Sequence, residues 1–184
     1  MKSKKIHSLV LSALFLALGI VLPLFTGQIK EIGDSLLPMH LPVMLCGLIC
    51  GAKYGSAVGL MLPFLRSLIF GMPPLYPNAI WMALELLTYG LVVGFLYSKS
   101  KKRLRSVYFS LIIAMLLGRV VWGIAKAILL GISAKAFTMQ AFIIGGFLDA
   151  IPGIILQLIL IPTVMALIKT DTPKNIYKRK EKAE

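Results

Sequence analysis

Five charged side chains interrupt stretches of this sequence that are otherwise apolar. They are Arg66, Glu85, Arg119, Lys126 and Asp149. A charge at the centre of a membrane helix costs at least about 2.5 kcal/mol, so such residues usually face a partner, a water-filled cavity or a substrate. Their positions therefore predict a polar pocket inside an apolar protein.

These five residues comprise three cations and two carboxylates, so their net charge is positive by one. A pocket with that charge suits a ligand with one carboxylate, because a buried cation is stabilised by an opposite charge and by charge-assisted hydrogen bonds. The alternative is two internal ion pairs, with the amine of Lys126 extended to the membrane surface. The spacing in the sequence leaves both interpretations open.

Aromatic and polar residues accompany the charges at helical spacing. Arg119, Trp122 and Lys126 are three and four residues apart, so one helix face carries two cations beside an indole. A second face carries Asn78, Trp81, Glu85 and Tyr89. Small-molecule pockets combine an apolar wall with a few placed polar groups in this way. The alternatives are interfacial anchoring for Trp81 and core packing for Trp122.

Ten residues are therefore predicted to bind a substrate: His40, Arg66, Asn78, Trp81, Glu85, Tyr89, Arg119, Trp122, Lys126 and Asp149. His40 is included because it begins an apolar segment on the side where the pocket is expected. Its alternative roles are to cap that helix or to face solvent.

Motifs of catalysis are absent from the sequence. It has no Gly-x-Ser-x-Gly, no His-Glu-x-x-His and no phosphate-binding Walker loop. Cys46 and Cys50 are four residues apart without the histidine partners of a metal site, which favours a packing role over metal binding or a disulfide. We therefore predict no catalytic residues, no metal and no cofactor. An ATP-driven step would need a partner protein.

The composition is typical of a membrane protein. Hydrophobic residues make up 58% of the 184 residues, more than a soluble domain can cover with polar surface. At about 20 residues per membrane helix, this length suits six spans. The prediction is an all-α integral membrane protein with one transmembrane domain, residues 1–168, followed by a disordered basic tail, residues 169–184.

The apolar segments give approximate bounds for six spans: residues 8–25, 40–50, 56–70, 79–97, 107–130 and 141–168. Two of the outer connections are unusual. Residues 26–39 form a long polar loop that could act as a lid, and residues 71–78 are rich in proline. Pro152 and Pro162 predict kinks in the last span.

The basic residues predict the orientation in the membrane. Of the 20 lysines and arginines, 15 lie near the termini, at Lys53 or in the run 99–105. Under the positive-inside rule these segments are cytoplasmic, so both termini are inside and most of the intramembrane charges lie in the outer half. This distribution indicates contact with a lipid bilayer and argues against nucleic-acid binding.

Two small residues mark one face of the first span. Ala13 and Ala17 are four positions apart, a pattern that lets another helix approach closely. From the pattern alone, packing within the protein is a simpler explanation than an interface with a partner.

The central stretch resembles a transporter family. Residues 40–97, HLPVMLCGLICGAKYGSAVGLMLPFLRSLIFGMPPLYPNAIWMALELLTYGLVVGFLY, are similar to the substrate-binding S-components of energy-coupling factor (ECF) vitamin transporters. The resemblance implies a multi-pass subunit in the plasma membrane of a prokaryote that binds a vitamin near the outer face. It also implies three partners, a membrane T-component and two cytoplasmic ATPases, and delivery by toppling of the S-component. Ala13 and Ala17 would then contact the T-component, and residues 26–39 would form the lid.

Within that family, the same stretch is most similar to the pantothenate-type branch. Pantothenate carries one carboxylate, hydroxyls and an amide, which suits a cluster of net positive charge. A purine, a pyridoxine-like compound or a queuosine precursor is an alternative substrate. The alternatives of other classes are a structural or assembly protein with internal ion pairs, and a facilitator that acts alone.

Overall fold

The computed structural model describes residues 2–26, 36–132 and 138–170, which form helices joined by short turns with no strand among them. Their helices are α1 (Lys2–Val21), α2 (His40–Cys50), α3 (Ala52–Phe70), α4 (Ile80–Lys99), α5 (Leu104–Ile132), α6 (Met139–Ile143) and α7 (Ile151–Thr170). The predicted all-α class is confirmed for this part of the chain. Residues 27–35 of the predicted lid and the tail beyond residue 170 lie outside it.

Four stretches are long and apolar enough to cross a membrane, judged by length and composition: Lys5–Phe25, Leu75–Lys99, Leu104–Gly131 and Met139–Ile168. The chain is therefore a multi-pass membrane protein in character. α2 is apolar but has only 11 residues, and α3 carries Lys53 and Arg66. Six crossings and their direction remain predictions.

α2 is short because it begins in the middle of the bundle. Nε2 of its first residue, His40, lies 3.5 Å from Oε1 of Glu85, which is in the second turn of α4. Beyond the other end of α2, Ala52 packs against Gly94 near the end of α4. At 1.5 Å per residue an 11-residue helix is only about 16 Å long, so α2 fills one half of the bundle.

The half that α2 fills is an apolar core. Its buried residues include Val43 and Met44 of α2, Leu62 of α3, and Leu86 and Val93 of α4. The charged residues singled out in the sequence lie beside the other half. Their separation from this core agrees with the uncharged half expected from the sequence.

Glycines allow α2, α3 and α4 to approach closely in the apolar half. A Cβ atom on Gly55 of α3 would lie 2.6 Å from Cα of Gly47 in α2 and 2.9 Å from the carbonyl oxygen of Gly90 in α4. A Cβ atom on Gly59 would collide with the backbone of Leu86. These backbone contacts therefore require residues without a side chain, as is common where membrane helices pack tightly.

The last candidate span is not one regular helix. α6 ends at Ile143, a wide turn follows over Ile144–Leu148, and α7 begins at Ile151. The break lies at residues 149–150, directly before Pro152, which is the side on which a proline disrupts a helix. Pro152 stands in the first turn of α7, where a missing N–H is tolerated. Two glycines within the turn make its backbone adaptable.

We expect Gly90→Ala to destabilise the protein, because the added methyl group would collide with the carbonyl of Gly55 and force α3 away from α4. Overpacking of this kind costs roughly 1–3 kcal/mol, which thermal unfolding of the detergent-purified protein would show as a lower Tm. Gly131→Ala is the matched control, since in the described part of the chain a Cβ at that position has no neighbour within 4 Å beyond its own helix backbone and the adjacent residues. Equal Tm values for the two variants would contradict the close-contact argument.

Candidate functional site

The site is built around the buried carboxylate of Glu85 in α4. Its Oε1 accepts a hydrogen bond of 2.9 Å from Nη1 of Arg119 in α5 and one of 3.0 Å from the hydroxyl of Tyr89. Nε2 of His40 in α2 lies 3.5 Å from the same oxygen. All four residues are at most 4% exposed. One carboxylate thus joins three helices.

The network contains one of the internal ion pairs considered from the sequence, that of Glu85 with Arg119. A second pair is not formed among the described residues. In that part of the chain, no carboxylate oxygen lies within 4.0 Å of a nitrogen of Arg66, and no side-chain cation lies within 4.0 Å of Asp149. The Glu85–Arg119 ion pair therefore neutralises only two of the five intramembrane charges.

Four buried nitrogen atoms of the network have no hydrogen-bond partner in the described part of the chain. They are Nε and Nη2 of Arg119 and both ring nitrogens of His40. Leaving a buried polar group unpaired costs about 1–3 kcal/mol, so these atoms are suited to a polar ligand. The alternative roles of His40 are wrong, because it is 2% exposed and Met39 is the N-cap residue of α2.

A cavity of about 430 Å³ borders this network. Nine of the ten residues predicted to bind substrate line it: His40, Arg66, Asn78, Trp81, Glu85, Arg119, Trp122, Lys126 and Asp149. The tenth, Tyr89, does not line the cavity and instead donates to Glu85. The volume falls in the range of roughly 300–1,000 Å³ that is usual for small-molecule sites.

The cavity lies at the end of the bundle where α4 begins and where α3 and α5 finish. Arg66 is near the end of α3, Trp81 is in the first turn of α4, and Lys126 is near the end of α5. The basic connection 99–105 is at the opposite ends of α4 and α5. Since a helix of 20 residues is about 30 Å long, the cavity and the basic connection are on opposite sides of the protein.

An aromatic wall holds the cation of Lys126. Its Nζ lies 4.4 Å from the ring centre of Trp122 and 5.5 Å from that of Trp81, within the range of cation–π attraction. The ring of Phe142 lies 6.2 Å from that of Trp122. Trp81 is 8% exposed and Trp122 is 7% exposed. Trp81 is therefore part of the cavity wall rather than an interfacial anchor.

Arg66 reaches the cavity from α3 and also holds α1. Its Nη1 donates a hydrogen bond of 3.0 Å to the carbonyl oxygen of Ile20, and its guanidinium carbon lies 5.7 Å from the ring centre of Phe70. The residue is 4% exposed. Because Ile20 is in the last turn of α1, the cation also lies at the end where the helix dipole favours it.

The residues predicted to bind substrate did not include ten further members of the described lining, of which Leu37, Pro38 and Met39 belong to the loop predicted as a lid: Pro23, Leu37, Pro38, Met39, Met72, Pro73, Pro74, Met82, Leu130 and Gly145. A usable signal existed for Pro73 and Pro74, which belong to the proline-rich connection at the same end as the charges. The apolar members carry no such signal, because leucine and methionine occur throughout this membrane protein.

Comparison with known families identifies the chain. The model of the family "ECF transporter, substrate-specific component" matches residues 7–165, a range that includes all the described residues of the cavity lining. The chain belongs to this family. No curated protein and no solved structure matches it.

As an ECF substrate-specific component, the chain belongs to a family of substrate-binding membrane subunits of transporters. The family also implies T-component and ATPase partners in general. Among the described residues, no group of three or more His, Cys, Asp and Glu side chains could hold a metal ion. The described lining offers hydrogen-bond donors, charged side chains and aromatic rings.

We expect Arg119→Gln to destabilise this ECF component more than the double variant Glu85→Gln/Arg119→Gln. The single change leaves the carboxylate of Glu85 buried without its cation, and breaking a buried pair in this way costs roughly 3–5 kcal/mol. Thermal unfolding in detergent compares the variants, with Arg105→Gln as a control because Arg105 is exposed at the opposite end. A double variant as unstable as the sum of its single changes would show that the two residues are not coupled.

Proposed function

We propose that this ECF component binds pantothenate in the cavity and delivers it through a complex with a T-component and two cytoplasmic ATPases. The observation that carries the proposal is a cavity of about 430 Å³ whose charged lining has three cations and two carboxylates. Pantothenate offers a carboxylate to the excess positive charge. Its hydroxyl and amide groups suit the unpartnered nitrogens of Arg119 and His40. The similarity of residues 40–97 to the pantothenate-type branch supports the same substrate.

The proposal includes six membrane crossings with both termini in the cytoplasm. Four candidate spans account for four crossings. α3, with 19 residues, and α2, with 11, would supply the remaining two. Lys53 and the cations of the connection 99–105 are exposed at the end opposite the cavity. The positive-inside rule then directs the cavity to the outer face of a prokaryotic plasma membrane.

The exposed face of α1 is the proposed contact with the T-component. Ala13 and Ala17 are exposed, whereas Ser12 and Phe15 on the other face are buried. The simpler explanation, that the two alanines pack within the protein, does not hold for the described residues. Small side chains exposed on a membrane helix leave room for close approach by a helix of another protein.

We expect pantothenate to bind the detergent-purified chain without ATP. A ligand that binds only the folded state stabilises it by about 2.7 kcal/mol at a hundredfold excess over its Kd, so a thermal shift and a calorimetric titration both measure binding. A panel of vitamins provides the control. If only another vitamin binds, the chain is still a substrate-binding subunit, but pantothenate is not its substrate. A folded protein that responds to no compound would favour a structural role for the buried charges.

We expect Ala13→Trp to leave pantothenate binding unchanged and to reduce uptake by cells that contain the whole transport complex. The indole would prevent close approach of a partner helix, while Ala13 lies outside the cavity lining. Leu116→Trp is the control, because Leu116 is 52% exposed on α5 and outside the proposed interface. If Ala13→Trp loses binding and uptake to the same extent, the proposal that α1 contacts the T-component is contradicted.

A further inference from the structure

The three cations of the cavity are held in different ways. Arg119 donates to Glu85 over 2.9 Å, so its charge is balanced inside the protein. Lys126 lies over the rings of Trp122 and Trp81, which stabilise its charge. Arg66 is 4% exposed, yet among the described residues no carboxylate oxygen lies within 4.0 Å of its guanidinium.

We propose that Arg66 binds the anionic group of the ligand, whereas Arg119 and His40 bind its neutral polar groups. This inference rests on the proposed function and assigns roles within the same cavity. A buried charge needs an opposite charge as well as hydrogen bonds, and the carbonyl of Ile20 supplies only one hydrogen bond to Arg66. A guanidinium has five N–H donors in a planar fork, so it can hold Ile20 and still present donors to a carboxylate.

Arg119 is the less suitable anion site, although both its Nε and its Nη2 lack partners in the described part of the chain. Its Nη1 already donates to the carboxylate of Glu85. A ligand carboxylate on the same guanidinium would come close to that carboxylate, and two like charges that share a site destabilise each other. A hydroxyl or amide oxygen can accept from Nε and Nη2 without this repulsion. The geometry therefore assigns neutral acceptors to Arg119.

The test compares acids with their neutral counterparts, by calorimetric titration of the full chain in detergent. The pairs are pantothenate and pantothenol, nicotinate and nicotinamide, and lipoate and lipoamide. For the pair that contains the ligand, we expect the acid to bind at least about tenfold more tightly, since hydrogen bonds to charged groups are the stronger ones. In Arg66→Gln the acid should lose this advantage, while the affinity for the neutral compound stays within about twofold.

Three variants serve as controls. The double variant Glu85→Gln/Arg119→Gln should keep the preference for the acid, although both compounds bind more weakly. Arg105→Gln, at an exposed site away from the cavity, should resemble the wild type. Glu31→Gln/Asp34→Asn changes two carboxylates that lie outside the described residues. A gain of about tenfold in acid affinity in that variant would show that a loop carboxylate is the counter-ion of Arg66, and would overturn the inference.

The outcomes separate this inference from the proposed substrate. If pantothenate does not bind, but another acid binds with an affinity that depends on Arg66, then pantothenate is not the substrate and the role of Arg66 is supported. If pantothenate binds equally to wild type and Arg66→Gln, the substrate is supported and the role of Arg66 is overturned. A folded protein that binds no acid of the panel also overturns it. If Arg66→Gln does not fold, Arg66→Lys replaces it. Lysine lacks the planar guanidinium of arginine, so this variant should lower the affinity for the acid and leave that for the neutral compound unchanged.

Discussion

The burial of the Glu85 carboxylate is the constraint on which the rest of the structure depends. A charge in apolar surroundings is stable only when a cation and hydrogen-bond donors lie next to it. Arg119 of α5 and Tyr89 of α4 supply them, and His40 of α2 lies beside the same oxygen. This requirement sets where α2 begins and which face α5 turns to α4. The main polar contact between the helices is therefore also one wall of the cavity.

The cavity exists because two halves of the bundle are packed differently. Beyond His40, the short helix α2 fills the space, and glycines at positions 47, 55 and 90 bring three helix backbones into contact. On the other side of His40, two tryptophans together with Pro73 and Pro74 border an open volume. A closely packed apolar half beside a hollow polar half places this cavity at one end of the bundle, which suits a subunit that captures a molecule from one side.

Much of the site could be predicted because a charge in an apolar helix is costly and must have a partner or a function. That argument alone selected Arg66, Glu85 and Asp149 among more than a hundred apolar residues, and helical spacing added the tryptophans. The apolar part of the lining could not be predicted, because nothing distinguishes Met82 or Leu130 from leucines and methionines that face lipid or core.

The sequence by itself determined that the chain is an all-α membrane protein, which residues are too polar to face lipid, and to which transporter family the central stretch is similar. The first two properties depend on composition and local spacing, and the third rests on the resemblance of residues 40–97 to that family. Only the tertiary structure decided which charges neutralise each other. Glu85 pairs with Arg119, 34 positions away, and not with Arg66. Pairing depends on which helices are neighbours and how each is rotated, and no local pattern encodes either property.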